Sequence, residues 1–573
     1  PTPYLNPPPC FDSARCLAEF VALVKREWAV RGDDPHLPPN FGAFTVLGTM
    51  KALAAWVALQ AVTAELWNER TMKHVTQIVV LGSNSAIYSK NSITGFDEDR
   101  DDVDEEETMH ITRTERKSGS DGSIVEGDIL NRRISRGSLN ADFVMTHVDD
   151  NEAFETPMST MSSIYYPFRL SSTVSMSDEY NRELLHNLRR YSKFSLGAYG
   201  RDALGFFGVS LPPIPPAEAD ENDLNPHHFT FAHHTKTRME YVSGFSQQQG
   251  MDATSAEEKT APSYYLIRDH NSCSIILALR GTFSLNDLVV DLSCEEVSFK
   301  LPDEANDPSA PVYKVHSGMC TTAQDIATPG PGTVFNALKK ALEENQGYGL
   351  VIVGHSLGAA IGSLLTLLLA SPTTCTTTES SGLPPNRPVH AFAFAAPCAM
   401  SAPLSRRAER LITSLVYADD VITRLSFGSV RDLRNIAAWL VQGDKDEPLY
   451  ANIIREAVNY QTGMYDTEPK KKDEIKNWFL SLRTTLHANM QNDKLYPGGR
   501  IYWVLPVNDA DANANPNADA RSVAHMNPDD PEGSSYKLYK IDDVEEVLSE
   551  IIFSRNMMFD HFPTQYEDVL LSL

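Results

Sequence analysis

The sequence predicts an α/β fold: a mainly parallel sheet with helices on both faces. Three observations predict it. From residue 178 onward, short apolar runs alternate with helical stretches. One run, Leu350 to Val353, leads through a Gly-x-Ser-x-Gly turn into an Ala/Leu-rich helix. A later apolar run, Ser414 to Ala418, ends on two aspartates.

Residues 1–88 read as an N-terminal helical segment. Phe11, Ala14, Leu17 and Phe20 to Leu23 start a helical pattern that runs to about Val80 and includes an apolar stretch from Phe41 to Trp67. That stretch exceeds the ~20 residues needed to cross a bilayer. Lys51 lies inside it, however, and Gln60, Thr63 and Glu65 break its second half. An Ala-rich helix packed on the C-terminal domain is therefore favoured over a membrane or interfacial helix.

Residues 89–177 read as a disordered linker, because nine of the eleven residues from Asp97 to Glu107 are acidic and the rest is rich in Ser, Thr and Gly. Such a composition buries too little apolar surface to offset its ordering entropy. Within it, Arg132-Arg133-Ile134-Ser135-Arg136-Gly137-Ser138 sets arginines ahead of serines, as basophilic kinases prefer. Ser135 and Ser138 are thus candidate phosphorylation sites and a kinase a candidate partner, with a solvated mixed-charge loop as the bland alternative.

Residues 178–573 read as a compact domain. Leu184, Leu188, Tyr191, Phe194 and Ala198 describe an amphipathic helix, and Tyr264 to Arg268 with Ser274 to Arg280 form a hairpin around Asp269-His270-Asn271-Ser272. Gly349 to Val353, His390 to Ala395 and Ser414 to Ala418 read as strands, Leu357 to Leu369 as a helix. The stretch between Asp420 and His561 is far longer than a strand and its connections need, so an insertion is expected at about 427–495, with helices at Val430–Val441 and Asp473–Leu482. A disordered loop is expected at about 507–534.

Composition narrows the function. The 573 residues carry a net charge of -26, which argues against nucleic acid as a partner and against adhesion to anionic lipid. Seven cysteines without regular spacing suggest free thiols in a reducing compartment, hence the cytoplasm or the cytoplasmic face of a membrane. No signal-peptide pattern is read, but the chain opens on Pro1, so a preceding targeting or transmembrane segment stays open.

The chemistry centres on Gly354-His355-Ser356-Leu357-Gly358. A serine on a sharp strand-to-helix turn lifts its hydroxyl clear of the sheet, and glycines two residues either side let strand and helix pass closely. Ser356 is the expected nucleophile of an α/β-hydrolase fold. Leu357 supplies one backbone N–H for an oxyanion hole, and Thr282, in Arg280-Gly281-Thr282 after a strand, can supply the second donor. The acid is Asp419 or Asp420. Among the downstream histidines His487, His525 and His561, only His561 has apolar neighbours and a helix close behind it, Thr564 to Leu571, to hold it as a base. His355 reads as packing beneath the turn and His316 as structural.

These blocks resemble the class 3 lipase family, in particular its diacylglycerol lipase-like branch. The resemblance is carried by Leu279 to Ser284 with Asp287 and Asp291, Val315 to Met319, Gly354 to Gly358, Asp419 to Leu425, Tyr496 to Ile501 and Asp560-His561, and the helix Leu188 to Gly200 is similar to the family's entry helix. It covers about Glu179 to Leu573. It implies Ser356, Asp420 and His561 as the catalytic set, Thr282 with Leu357 as the oxyanion pair, no cofactor and no metal, and a lipid substrate at a membrane or micelle surface. Thr423, where the family usually has proline, and Tyr502-Trp503, where a polar pair is common, depart from the pattern and bear on the pocket.

The function expected is a serine-dependent lipase releasing a fatty acid from diacylglycerol or a related acylglycerol, with the insertion as a moving cover. A phospholipase, galactolipase or soluble carboxylesterase is the alternative, and a catalytically silent scaffold the remaining one.

Overall fold

A computed structural model describes residues 46–79, 178–213, 225–245, 263–282, 296–305, 307–441, 443–444, 447–508 and 534–573. Outside the described residues lie the 89–177 linker with Ser135 and Ser138, all but the ends of the 507–534 loop with His525, and Phe283 to Asp291.

Among the described residues nine strands form the main sheet: β1 (Val75–Ile78), β2 (Val242–Phe245), β3 (Tyr264–Asp269), β4 (Ser274–Leu279), β5 (Gly349–His355), β6 (Val389–Phe394), β7 (Ile412–Tyr417), β8 (Arg500–Asn508) and β9 (Ser534–Ile541). Their order across the sheet is β1-β9-β8-β7-β6-β5-β4-β3-β2. Strands β4 to β8 are mutually parallel, and the strands beyond them on either side pair antiparallel. Strands β4, β5, β6 and β7 are buried at every residue, which fits their near-continuous apolar sequences, since a parallel sheet is covered on both faces.

Register shows what covers each face. Ala391 pairs with Ile352 and Phe392 with Val353, so Ile352 and Phe392 point to opposite sides. Phe392 carries Tyr191 stacked on it at 4.5 Å, from helix α2 (Asp178–Gly197). On the other face Ile352 meets helix α3 (Leu357–Leu369), where a Cβ at Gly362 would lie 3.0 Å from the Ile352 Cγ2. The α/β architecture with helices on both faces is thus observed.

The N-terminal segment differs from its reading at one end. Helix α1 (Val46–Thr71) is succeeded by a strand, β1, where a helical pattern was expected to run to about Val80. Val75-Thr76-Gln77-Ile78 favours extended backbone, and the free edge of β9 accepts it, Val75 pairing with Ile541. Residues 46–79 belong to the same compact unit as the rest of the described chain. Among the described residues no helix is long and apolar enough to cross a membrane.

The neighbours of α1 explain why it is apolar nearly all round. It packs against α4 (Phe427–Val441), α5 (Leu449–Gln461) and α6 (Pro469–Ala488), and a helix enclosed on several sides needs no polar face. Ala52, Ala55, Trp56 and Leu59 join Leu433, Ile436, Ile453 and Phe479 in one core. Helix α4 is buried along most of its length. The two ends of the insertion are pinned together, Asp432 accepting from the N–H and side-chain amide of Asn492 and pairing with Lys494 at 2.5 Å. Downstream of the insertion, β8 and β9 extend the main sheet, strands the sequence reading did not identify.

Trp56 has no exposed surface. Trp56→Ala is expected to lower the stability of the whole unit by about 3–5 kcal/mol, read as a shift of the main urea transition monitored by circular dichroism. A main transition left in place would instead mark residues 46–79 as an independent appendage.

Candidate active site

Strand β5 ends at His355 and α3 begins at Leu357, leaving Ser356 alone to turn the chain. It does so at φ 55°, ψ −131°, a conformation that L side chains rarely adopt. The turn is held from both sides: the Ser356 N–H donates to the Phe394 carbonyl at 2.9 Å, and the Ser356 carbonyl accepts from Ala359 and Ala360. Gly354 and Gly358 are required for space, since a Cβ at Gly354 would run into the Gly358 carbonyl and one at Gly358 into the carbonyls of Leu279 and Arg280. The residues directly after β6 and β7, Ala395 and Ala418, also have positive φ, so backbone strain gathers along the carboxyl edge of the sheet.

Three sequence-predicted residues meet there. The Ser356 Oγ lies 2.9 Å from His561 Nε2, and His561 Nδ1 lies 3.0 Å from both carboxylate oxygens of Asp420. A carboxylate only accepts, so Nδ1 carries the proton and Nε2 of the neutral ring faces the serine as an acceptor. This geometry can take a proton from a hydroxyl and hand it on. All three side chains are buried, Asp420 completely.

Asp420 comes after β7 and starts a short 3-10 turn, accepting from the Ile422 N–H at 3.0 Å. It also accepts from the Tyr566 hydroxyl at 2.7 Å, and that hydroxyl accepts in turn from the Tyr417 N–H. The neighbouring aspartate has a different partner: the Asp419 N–H donates to Asp560 Oδ2 at 3.1 Å. Tyr566, on α7 (Pro563–Ser572), is a site residue that sequence reasoning missed, α7 being read only as a brace, while Asp560 was read only as part of the family block with His561 and not as the partner of Asp419. Burial pushes the Asp560 carboxyl up to about 7, with the Asp419 N–H pulling against it and the charges of Asp419 and Asp420 adding to it.

The expected oxyanion donors lie on adjacent backbones. Leu357 is the first residue of α3, where an N–H has no partner inside the helix. Thr282 comes directly after Gly281, at which a Cβ would lie 2.6 Å from the His355 carbonyl oxygen. His355 sits beneath the turn, hydrogen-bonded through Nδ1 to the Tyr199 hydroxyl at 2.8 Å, its ring 5.0 Å from that of His561. Burial, and then the His561 ring, hold its pKa well below the usual histidine value. His316 caps the helix Ser317–Ile326, accepting from the Met319 N–H. His487 packs on Trp67, and the ring that meets Ser356 is that of His561.

Arg424, in the block Asp419 to Leu425, is 1% exposed. It donates to the Val547 and Glu550 carbonyls and lies over Trp503. Among the described residues no group of His, Cys, Asp or Glu could hold a metal ion.

Comparison with known proteins adds a family. Residues 276–429 match the family model described as Lipase (class 3). The chain is similar to diacylglycerol lipase-beta of Mus musculus, 33% identical over 174 residues that make up 30% of this chain and 23% of that protein. It is also similar to diacylglycerol lipase-alpha of Homo sapiens, 23% identical over 315 residues, 52% of this chain and 26% of that one. The chain thus spans about a quarter of the length of these relatives. A solved structure of lipase II from Rhizopus niveus matches 42% of this chain and 74% of its own at 15% identity, with a TM-score of 0.28.

Asp560 sets a pH dependence. Its folded pKa of about 7 exceeds the ordinary 3.8, so the folded protein holds that proton more tightly. Its contribution to stability is complete below the ordinary value and is lost as pH rises through about 7. Asp560→Asn, which keeps an acceptor for Asp419, is expected to stabilise the protein at alkaline pH and to change little in acid, measured by urea unfolding across that range. An effect independent of pH would refute the assignment.

Proposed function

This chain belongs to the class 3 lipases over residues 276–429, and on that premise we propose that it is a serine-dependent carboxylic ester hydrolase that releases a fatty acid from diacylglycerol or a related acylglycerol. The observation that carries the reading is the continuous line from the Ser356 hydroxyl through His561 to Asp420.

Ser356 attacks the ester carbonyl while His561 Nε2 takes its proton. Asp420 holds the tautomer that leaves Nε2 free to accept, and stabilises the imidazolium as it forms. The N–H of Leu357 and the donors of Thr282 receive the developing oxyanion, with the positive end of α3 behind them. His561 then returns the proton to the leaving alcohol, and a water activated by the same ring releases the acyl group.

A neutral acylglycerol suits the electrostatics. The chain is strongly acidic, which disfavours anionic head groups, and Arg424 is committed to backbone carbonyls. The substrate is met at a membrane or micelle surface, and the cysteine content favours a cytoplasmic face. A covering role for the 427–495 insertion would fall on the outer faces of α5 and α6, since α4 is core and Ile453 and Phe479 root the other two helices in that same core.

Ser356→Ala is expected to abolish hydrolysis, and His561→Ala and Asp420→Asn each to lower kcat on the order of 10⁴-fold, non-additively when combined. Asp419→Asn is expected to act far more weakly. Rates on a soluble short-chain ester check this; an Asp419 variant as inactive as the Asp420 one would exchange their roles. With matched acyl chains in mixed micelles, diacylglycerol is expected to show the higher kcat/KM over phosphatidylcholine. The reverse order would replace the acylglycerol reading with a phospholipase.

A further inference from the structure

We propose that Gln60, on helix α1 and far outside the segment that matches the family, is a positioning residue for His561. The proposal rests on the hydrolase reading above.

His561 stands at the end of an irregular stretch, residues 549–562, between the short helix Val544–Leu548 and α7. With no strand or helix ladder of its own, this stretch depends on outside partners for its buried backbone groups. The Gln60 side chain supplies two at once. Its amide nitrogen donates to the Ile551 carbonyl at 2.8 Å, and its amide oxygen accepts from the Phe553 N–H at 3.1 Å. One side-chain amide therefore stands where a neighbouring strand would otherwise be.

The same nitrogen donates to Glu550 Oε1 at 2.7 Å. Glu550 is buried and paired with the buried Arg483 of α6 at 2.9 Å, and Arg483 donates to Thr63 Oγ1 and lies over the Trp67 ring at 4.2 Å. Helices α1 and α6 thus hold one end of the histidine-bearing stretch. Further along, the Met557 carbonyl accepts from the Val421 N–H, and Asp560 takes the Asp419 N–H. Those two tethers tie it to the Asp420 turn. Gln60 sets where the stretch begins, and the later tethers set where it ends. Without the first, the imidazole loses its fixed approach to Ser356 although its own contacts are intact.

The test uses the full chain and three variants. Gln60→Leu keeps the bulk and removes the amide, Gln60→Asn keeps the amide but withdraws it by one methylene, and Val62→Ala weakens the same helix through its apolar packing. Rates are read on a soluble short-chain ester, and the labelling of Ser356 by a fluorophosphonate is measured in parallel, well below each Tm. Because a ~1 Å misplacement of a reacting group can cost on the order of 100-fold, Gln60→Leu is expected to lower kcat and the labelling rate by about tenfold or more with KM within about twofold, Gln60→Asn to fall between, and Val62→Ala to keep kcat within about twofold despite a lower Tm.

The proposal is overturned if Gln60→Leu keeps the wild-type labelling rate, or if Val62→Ala loses as much kcat at a comparable fall in Tm. Should Gln60→Leu fail to fold, an unchanged Gln60→Asn overturns it alone. A wild-type chain that labels at Ser356 yet turns over no ester would sink the hydrolase reading, while the labelling rates still decide the role of Gln60.

Discussion

Everything in this site depends on one strained residue. Ser356 holds a left-handed backbone without being glycine, at a cost of about 1–3 kcal/mol. The surrounding structure over-determines that conformation. Hydrogen bonds clamp its N–H to β6 and its carbonyl to the first turn of α3, and glycines at 354 and 358 let the two elements pass where any side chain would collide. The strain points the hydroxyl away from the sheet toward His561. Relaxing it would turn the oxygen away from the ring.

The second requirement is that an acid and a base reach that hydroxyl from distant parts of the chain. Asp420 does so because β7 ends beside β6, and it is fixed by the Ile422 N–H and the Tyr566 hydroxyl. His561 arrives on irregular chain, which has no geometry of its own to rely on. Its tethers come from α1, α6 and the Asp420 turn, and Tyr566 of α7 holds Asp420 itself, so a site that matches the family over residues 276–429 draws its rigidity from residues 60 to 566.

How much of this was legible in the sequence depends on how local each signal is. The turn at Ser356 was readable because four β-favouring residues, two glycines and an Ala/Leu-rich helix lie within a short window, and the hairpin of β3 and β4 for the same reason. The choice between Asp419 and Asp420 was not readable from the residues themselves, as both come after the same strand and differ only in which way each points. Tyr566 and Gln60 carry no local mark, since a tyrosine or glutamine on a helix becomes a site residue only through partners far away in the chain. Strand β1 was missed for a related reason: it comes directly after a long helix, and the edge it completes belongs to β9. For α1 the polar residues Lys51, Gln60, Thr63 and Glu65 already favoured a packed helix over a membrane one, but that α4, α5 and α6 are the elements enclosing it was not readable from sequence.

The net negative charge and the burial of Arg424 both favour an uncharged substrate, but the account stands first on the nucleophile. The measurement that tests it most directly is peptide mapping by mass spectrometry of the folded protein after reaction with a fluorophosphonate. The account predicts a single stoichiometric adduct on the peptide containing Ser356, absent when the protein is unfolded before exposure because the proton acceptor is then lost. An adduct on another serine, or equal labelling of the unfolded chain, would contradict it.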